Sequence, residues 1–461
     1  MKKYLLPVFL AFSVFTHSEE TPCRVPSTPV TISSSTFTTF SSATLQPSNM
    51  QIPPATLPLS YVGLASDGSV KMGFTNNLSA ASSFEQTLSA SSSDSVSINA
   101  FFNSASNRTG QINHLATAAW RDVTSSKIQY SVAEIAGSNI TAAPTVTLDG
   151  SNNVQPNSVK VCSVKGSNGP GHLLLWTEST TTNLNSVKYS LISSGSVNTA
   201  ISFVTGPVKY VTAEDCDGGL HVLAYTQQGG VYYMNKSPSS DVMSPAIKLI
   251  SKVKPSSIQS VALAASKQGF VAIVIACKDN ATGGSLLVTL HKYPSQAAPV
   301  EQDRQPIAAL LEGKTIKLTI DPESNETTTV FIANKDSGKA AIHLYTRKTI
   351  TVAPKDEMVS LPLNANPDLT DVDILISHVD GTREDMVGIT SGSAIPAYIA
   401  MRTIKYDFFS KFRQVLPIET TSSISHLSLE AVLGGVVISY LDASGSLTAS
   451  TISVPVEPAK P

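Results

Sequence analysis

The sequence predicts an all-β chain assembled from repeated four-stranded modules, and three observations carry that expectation. Val, Ile and Thr dominate the apolar segments, and β-branched side chains favour pleated, half-buried strands over helices. A hairpin pattern recurs: an apolar strand, a short polar tip containing Asp, Asn, Gly or Ser, then an alternating strand returning. Its recurrence is regular, at about fifty residues, the signature of a repeat architecture.

The chain opens with Lys2 and Lys3, an apolar stretch from Leu5 to Phe15 and the small residue Ser18, the order of parts in a secretory signal. Residues 1–18 are therefore expected to be a signal peptide, too short in its apolar part to cross about 30 Å of hydrocarbon as a helix. Cys23 follows Glu20, Thr21 and Pro22, which is not the apolar-then-small run of a lipidation site. Residues 19–57 form an N-terminal segment. Within it Pro29 to Phe40 (PVTISSSTFTTF) alternates as a strand should, ahead of the first repeat.

Residues 58–455 hold the repeats. The hairpins span Tyr61 to Phe74, His114 to Ser131, His172 to Ser190, Leu220 to Met234, Phe270 to His291 and Thr329 to Tyr345, with weaker copies at Asp385 to Met401 and Gly435 to Ser450. Their starts advance by 53, 58, 48, 50, 59, 56 and 50 residues. The intervals between hairpins leave room for one outer and one inner strand, as in Ala143 to Leu148 followed by Val159 to Val164. Leu78 to Ser97, rich in Ser and Ala, is read as a polar outer strand and loop rather than a helix. Residues 456–461 are a Pro-containing tail.

Four-stranded units at this period resemble the blades of β-propellers. The tips are similar to the Asp-box hairpins of sialidase-like propellers: Ser66, Asp67, Gly68 and Ser69 come close and Asp336, Ser337 and Gly338 less so, but neither is followed by the Trp of that motif. The resemblance implies a single all-β propeller, of eight four-stranded blades. Seven blades with a separate hairpin is the main variant, and two stacked β-sandwiches are the alternative fold. The last repeat lacks an outer strand, so residues 29–40 are expected to complete it and to seal a sheet edge that would otherwise lie open.

Several function classes are excluded by composition. Thirty-two Lys and Arg face 34 Asp and Glu with no basic cluster, which removes the electrostatic footprint of a nucleic-acid binder. After residue 18 the longest apolar run, Phe270 to Cys277, suits one buried strand and no transmembrane helix. Two Trp residues would make poor aromatic girdles for a membrane barrel. Four Cys in so long a chain cannot be a disulfide scaffold, so any bridge is a supplement. Cys162 and Cys216 stand just before comparable strands of successive repeats and are the pair expected to bond. Cys277 is expected to be a buried thiol.

No catalytic constellation stands out. The His residues form no HxH, HxxxH or HExxH pair, so neither a metal nor another cofactor is expected. His114, His172 and His221 begin the inner strands of three successive repeats, where they would either line a central channel or satisfy backbone groups at a strand entrance. Arg121, Arg347 and Arg383 would serve a sialidase-like site only if they converged, and the Arg-Ile-Pro signature of that family is absent. Glu178, Asp215, Asp217, Asp371 and Asp373 are candidates for paired-carboxylate hydrolysis, but Asp is ordinarily chosen for turns. Asp-x-Asp at 215–217 and 371–373 does not continue as an EF-hand loop. There is no Gly-x-Ser-x-Gly elbow and no phosphate-cradling loop. Six Asn-x-Ser/Thr triplets, from Asn77 to Asn325, are few enough for chance in a chain this rich in Ser and Thr.

The expected function is that of an exported, non-catalytic binding protein, in the periplasm, on the cell surface or secreted. It would use a propeller face to recognise a protein or a glycan, since rigid blades present a broad field of variable loops. A secreted glycan hydrolase with its site at the axis is the alternative, and a self-assembling envelope component is a third class.

Overall fold

The computed structural model describes residues 26–44, 59–75 and, with gaps, 84–453; the longest of those gaps are 103–112, 360–368 and 405–413. The expected signal peptide 1–18, Cys23 and the tail 456–461 lie outside the described residues. All regular structure among them is β-strand.

Each hairpin expected from the tips is present. Leu59–Ala65 pairs with Val70–Thr75, Asn113–Asp122 with Lys127–Ala136, Gly169–Ser179 with Asn185–Leu191, and Gly219–Thr226 with Val231–Lys236. Further on, Val271–Lys278 pairs with Ser285–Lys292, Thr327–Asn334 with Ala340–Arg347, Thr382–Ser391 with Tyr398–Ile404, and Gly435–Leu441 with Ser446–Ser453. Each hairpin supplies the second and third strands of a four-stranded antiparallel unit, and in all but the last the strands follow chain order.

Burial explains why these particular segments take those places. The second strands Leu59–Ala65, Gly219–Thr226 and Gly435–Leu441 are buried at every residue. Alternating burial would mark a sheet with one wet face, whereas a strand buried on both faces lies between two other sheets. The outer strands are shielded least: Phe84–Ser89 and Val300–Ile307 contain no buried residue. In Val300–Ile307 the exposed edge carries Glu301, Asp303, Arg304 and Pro306, which discourages pairing with another chain.

Val30–Thr44 is one strand that serves two sheets. Val30 to Thr36 pairs with Ser446–Ser453 and so supplies the outer strand missing from the last hairpin. Phe37 to Thr44 pairs with Leu59–Ala65 and is the innermost strand of the first sheet. The register shifts between Phe37 and Thr39, where the strand changes partner. Counting that strand in both sheets, the described strands group into eight four-stranded units, called blades 1 to 8 below, with one short extra strand, Val146–Thr147, beside blade 2.

The blades close on themselves. Their first strands touch one another in chain order, and the first strand of blade 8, Ser425–Val432, touches Val30–Thr44 of blade 1. Every interface between neighbours holds an apolar core, and the closing one is no exception: Val437, Leu441, Leu447 and Ala449 of blade 8 meet Phe37, Leu59 and Tyr61 of blade 1. Two stacked sandwiches would have no such cyclic order. The fold is a closed β-propeller, latched by the N-terminal strand.

Around the axis, side chains of one first strand accept backbone N–H groups from the next. Ser41 Oγ accepts from Ile98 at 3.4 Å, Ser97 Oγ from Val161 at 3.0 Å and Asp373 Oδ2 from Leu429 at 2.9 Å. Glu430 Oε2 accepts from Thr44 at 2.7 Å, across the closing seam. Between separate sheets no ladder exists, so these side chains satisfy N–H groups that would otherwise be orphaned near the axis.

Candidate functional site

The three candidate histidines lie on second strands, one step out from the axis. His114 shares the face of its strand with Ala116, Ala118 and Trp120, which pack on blade 1. His172 Nδ1 is 2.7 Å from Thr117 Oγ1 of blade 2, and His221 Nδ1 is 2.7 Å from the Tyr233 hydroxyl within blade 4. They are 5–8% exposed, and burial lowers their pKa values to about 4 for His114, about 3 for His172 and about 4 for His221, the last with help from Lys292. Three neutral imidazoles are thus set in three separate blades, each against its own neighbours rather than around one channel.

Cys162 is buried in the interface between blades 3 and 4. Cys216 ends the strand Val208–Cys216, but its side chain lies outside the described residues, and the expected Cys162–Cys216 bond with it. Cys277 is buried among apolar residues between blades 4 and 5, and burial pushes its thiol up to about 12.

The three arginines weighed for a sialidase-like site are held apart by their own partners. Arg121 pairs with Asp94 in blade 2. Arg347 pairs with Asp303 at 3.1 Å, between blades 6 and 5. Arg383 of blade 7 contacts Asp385 at 2.7 Å and, in blade 6, Asp321 at 3.0 Å and Glu326 at 3.1 Å. Burial works against the Arg383 charge, but the carboxylates around it outweigh that and raise its pKa. Among the candidate acids, Glu178 accepts from Trp176 Nε1 at 2.9 Å and from the Asn152 N–H at 3.0 Å, a structural role. Asp373 accepts Leu429 N–H and lies 3.6 Å from Lys317 Nζ. Asp217 and the side chains of Asp215 and Asp371 lie outside the described residues.

What the structure does bring together is a polar cleft of about 260 Å³ at the axial ends of blades 1, 2 and 3. Thr39, Phe40 and Ser41 come from the latch strand, Asp94 to Ser97 from the first strand of blade 2, and Asn157, Val159 and Lys160 from the entry to blade 3. Asp94 occupies a β-bulge: Ser93 pairs with Asp122 and Ser95 with Arg121, which leaves Asp94 as the extra residue. Similar irregularities occur in the first strands of other blades, at Ile258/Ser260 for instance, so the bulge alone marks nothing. Its occupant does. Asp94 Oδ2 takes a short hydrogen bond from Arg121 Nη1, while Arg121 Nε donates to Val154 O at 2.6 Å and fixes the guanidinium behind it.

Two polar atoms of this wall have no hydrogen-bond partner among the described residues: Asp94 Oδ1 and Ser95 Oγ. Ser95 is only 4% exposed. Both atoms are shielded from solvent, as are the other unpartnered polar atoms of the described core, such as Ser60 Oγ and Ser439 Oγ. On the rim, Asn157 holds a left-handed backbone with φ of 54°, which Asn tolerates better than most residues, and Lys160 is exposed. Nothing in the sequence flags this site, because its walls are three short Ser-, Thr- and Asn-bearing stretches some sixty residues apart and residues up to Ser97 read as outer strand and loop.

No protein-family model matches the chain, and no curated protein matches it. Solved structures do resemble it. The polysaccharide lyase Uly1 is 8% identical, covering 89% of this chain and 90% of its own, with a TM-score of 0.43. The β-propeller domain of the Trilobed protease from Pyrococcus furiosus is 9% identical over 75% of this chain and 96% of its own, TM-score 0.40. The intramolecular trans-sialidase from Ruminococcus gnavus is 10% identical over 80% of this chain and 96% of its own, TM-score 0.40. At such identities the likeness is one of fold, and fold does not carry function.

Proposed function

We propose that the chain is an exported, non-catalytic glycan-binding propeller whose site is the cleft over blades 1 to 3. The observation that carries this reading is the cleft wall itself, in which the hydroxyl- and amide-bearing Thr39, Ser41, Ser95, Ser97 and Asn157 stand beside one carboxylate, Asp94, and one aromatic ring, Phe40. Saccharides present rows of hydroxyls that both donate and accept, and an ionised carboxylate is the strongest acceptor of a hydroxyl hydrogen that a side chain can offer. Phe40 adds a half-buried aromatic face for the apolar side of a sugar ring. The volume lies just under the range of about 300–1,000 Å³ for drug-sized ligands, which suits one sugar residue or the end of a chain.

Binding is favoured over hydrolysis by the same inventory. The cleft wall contains one carboxylate, Asp94, whereas glycoside hydrolysis by paired acids needs two, about 5–10 Å apart. Export rests on the Lys-led apolar segment of residues 1–18. Among the described residues no helix is long and apolar enough to cross a membrane.

The test is a glycan array probed with residues 19–461, alongside the D94A and S95A variants, combined with turnover assays on the retained glycans. Specific retention by the wild type, weakened in both variants and without turnover, is expected. Retention that both variants leave intact would move the site elsewhere, and turnover would replace the binding reading with the hydrolase.

A further inference from the structure

We infer that the N-terminal strand Val30–Thr44 is exchangeable, and that the groove it fills across blades 8 and 1 also seats the same strand of a second copy of this chain. This goes beyond the glycan reading and does not rest on it. The strand contains no Cys and joins the first hairpin only through residues 45–58, so non-covalent contacts alone hold it in the groove. Both of its halves are sheet elements, laddered to Ser446–Ser453 and to Leu59–Ala65. Its departure uncovers two sheet edges, whose unpaired backbone groups are a template for another strand. The half on blade 8 is held less regularly: its register breaks between Thr31 and Thr36, where Ser33 and Ser35 donate to Glu85 instead.

The groove is cut for one sequence. The Phe37 ring, 4% exposed, lies over Gly63, where a Cβ would stand 2.3 Å from it, and meets the Tyr61 ring edge-on with centroids 6.2 Å apart. Tyr61 in turn lies over Gly73, where a Cβ would stand 2.1 Å from its ring. Ile32 is fully buried in the same core as Val437, Leu441 and Leu447 of blade 8. An arbitrary peptide could form the ladders but would leave the slot over Gly63 unfilled, whereas an identical strand fills it. Two copies that trade strands make a closed two-fold exchange that keeps every contact within the groove. The connection decides between the two states. Its fourteen residues reach about 50 Å at full extension, far enough for a released strand to meet a ring alongside. A tether of that length holds a copy's own strand at an effective concentration of about 1 mM, so self-docking prevails in dilute protein and exchange competes as the protein approaches that concentration.

The experiment mixes two folded chains of residues 19–461, T31C and T448C, whose altered residues are register partners in the groove. Residues directly opposite in an antiparallel pair lie about 5 Å apart, within reach of a disulfide. The mixture is incubated with a mild oxidant, in urea below the unfolding transition, at about 10 μM and about 500 μM protein. A disulfide-linked heterodimer is expected, absent from either chain incubated alone and at least about tenfold more abundant at the higher concentration. The T31C/T448C double variant should close the bond within one chain, which checks the geometry. V30C with A449C, the neighbouring register pair, repeats the test should T448C fold poorly. No heterodimer from either mixture, with the bond closed in the double variant, would overturn the inference. A heterodimer formed as readily between T31C and T282C, at an exposed hairpin tip of blade 5, would overturn it too, since random collision of thiols would then suffice.

Discussion

Glu430 and Thr44, 386 residues apart in sequence, are joined at the axis by a 2.7 Å hydrogen bond from the Thr44 N–H to Oε2, while Ser42 donates to the other oxygen. Blade 8 thereby holds blade 1, and the ring is shut by a carboxylate that its own surroundings do not favour ionising: burial pushes the Glu430 pKa up, only partly offset by the bonds from Ser42 and Thr44. Replacing Glu430 by Ala leaves that N–H and hydroxyl without a partner, a loss of about 1–3 kcal/mol. Gln keeps an acceptor and drops the charge. A group whose folded pKa is raised contributes stability that is present below its ordinary 4.5 and declines as pH rises through the folded value. E430Q should therefore match or exceed the wild type at pH 7 and lose that advantage near pH 4, whereas E430A is weaker at both, as thermal unfolding at the two pH values will show.

Glu85 has the opposite sign. Burial alone would raise it, but Ser33, Ser35 and Tyr61 donate to it, with Lys71 close by, and together they hold it below the usual 4.5. Its bonds tie the outer strand of blade 1 to the half of the latch that completes blade 8. The stability it contributes is present above pH 4.5 and disappears as pH falls through the lowered folded value. E85A should cost about 1–3 kcal/mol at pH 7, toward the low end because Glu85 is half-exposed, and the gap to wild type should shrink below pH 4. Limited proteolysis gives a second readout: E85A should be cut earlier near residues 30–36, and an unchanged cleavage pattern would mean that the latch is held by backbone pairing alone.

Much of this fold is legible in the residues. Turn chemistry at the tips places every hairpin, because Asp, Asn and Gly mark reversals by their backbone preferences and not by their tertiary context. The closing strand is legible too, since Pro29 to Phe40 alternates as a strand should ahead of the first repeat. How far that strand continues is not. The alternation that suggests it stops at Phe40, but the strand runs to Thr44 and doubles as the innermost strand of blade 1, a role set by Glu430 and Leu59–Ala65 from elsewhere in the chain. His114, His172 and His221 all lie near the start of second strands, as their spacing implies, but the faces of His114 and His172 pack on the preceding blade and that of His221 on the following one. Whether an inward-looking residue meets the channel or the next blade depends on the radial stacking of sheets, which no local pattern records.

Four buried histidines should make the propeller lose stability in acid. His114, His172, His221 and His291 belong to four different blades and are held neutral, with folded pKa values of about 4, 3, 4 and 4 against 6.5 ordinarily. The unfolded chain takes up these protons first, so stability is insensitive to them above pH 7 and falls as pH drops from 6.5 toward 4, by up to about 1.4 kcal/mol per pH unit for each. His291 isolates the effect. It is fully buried, 5.0 Å from the Phe270 ring, and neither ring nitrogen has a hydrogen-bond partner among the described residues. H291L should be at least as stable as wild type at pH 7 and progressively more stable from pH 6.5 to 4.5 in urea unfolding. Parallel pH profiles for the two proteins would refute the assignment.

Gly445 tests the latch at the residue where it changes sheets. The Phe37 N–H donates to Gly445 O at 2.7 Å, so the tip of the last hairpin grips the N-terminal strand at its switch from blade 8 to blade 1. Gly445 has φ of 80°, and a Cβ there would stand 2.7 Å from Phe37 O, a backbone atom that can yield only if the latch moves. Gly283 is the control, with φ of 74° at another hairpin tip and nothing within 4 Å of the place a Cβ would take. Both Ala substitutions incur the left-handed penalty of about 1–2 kcal/mol. G283A should stop there, whereas G445A should lose measurably more stability and expose the N-terminal strand to protease. Equal losses in the two variants would mean that the close approach of Phe37 to Gly445 contributes nothing to closing the ring.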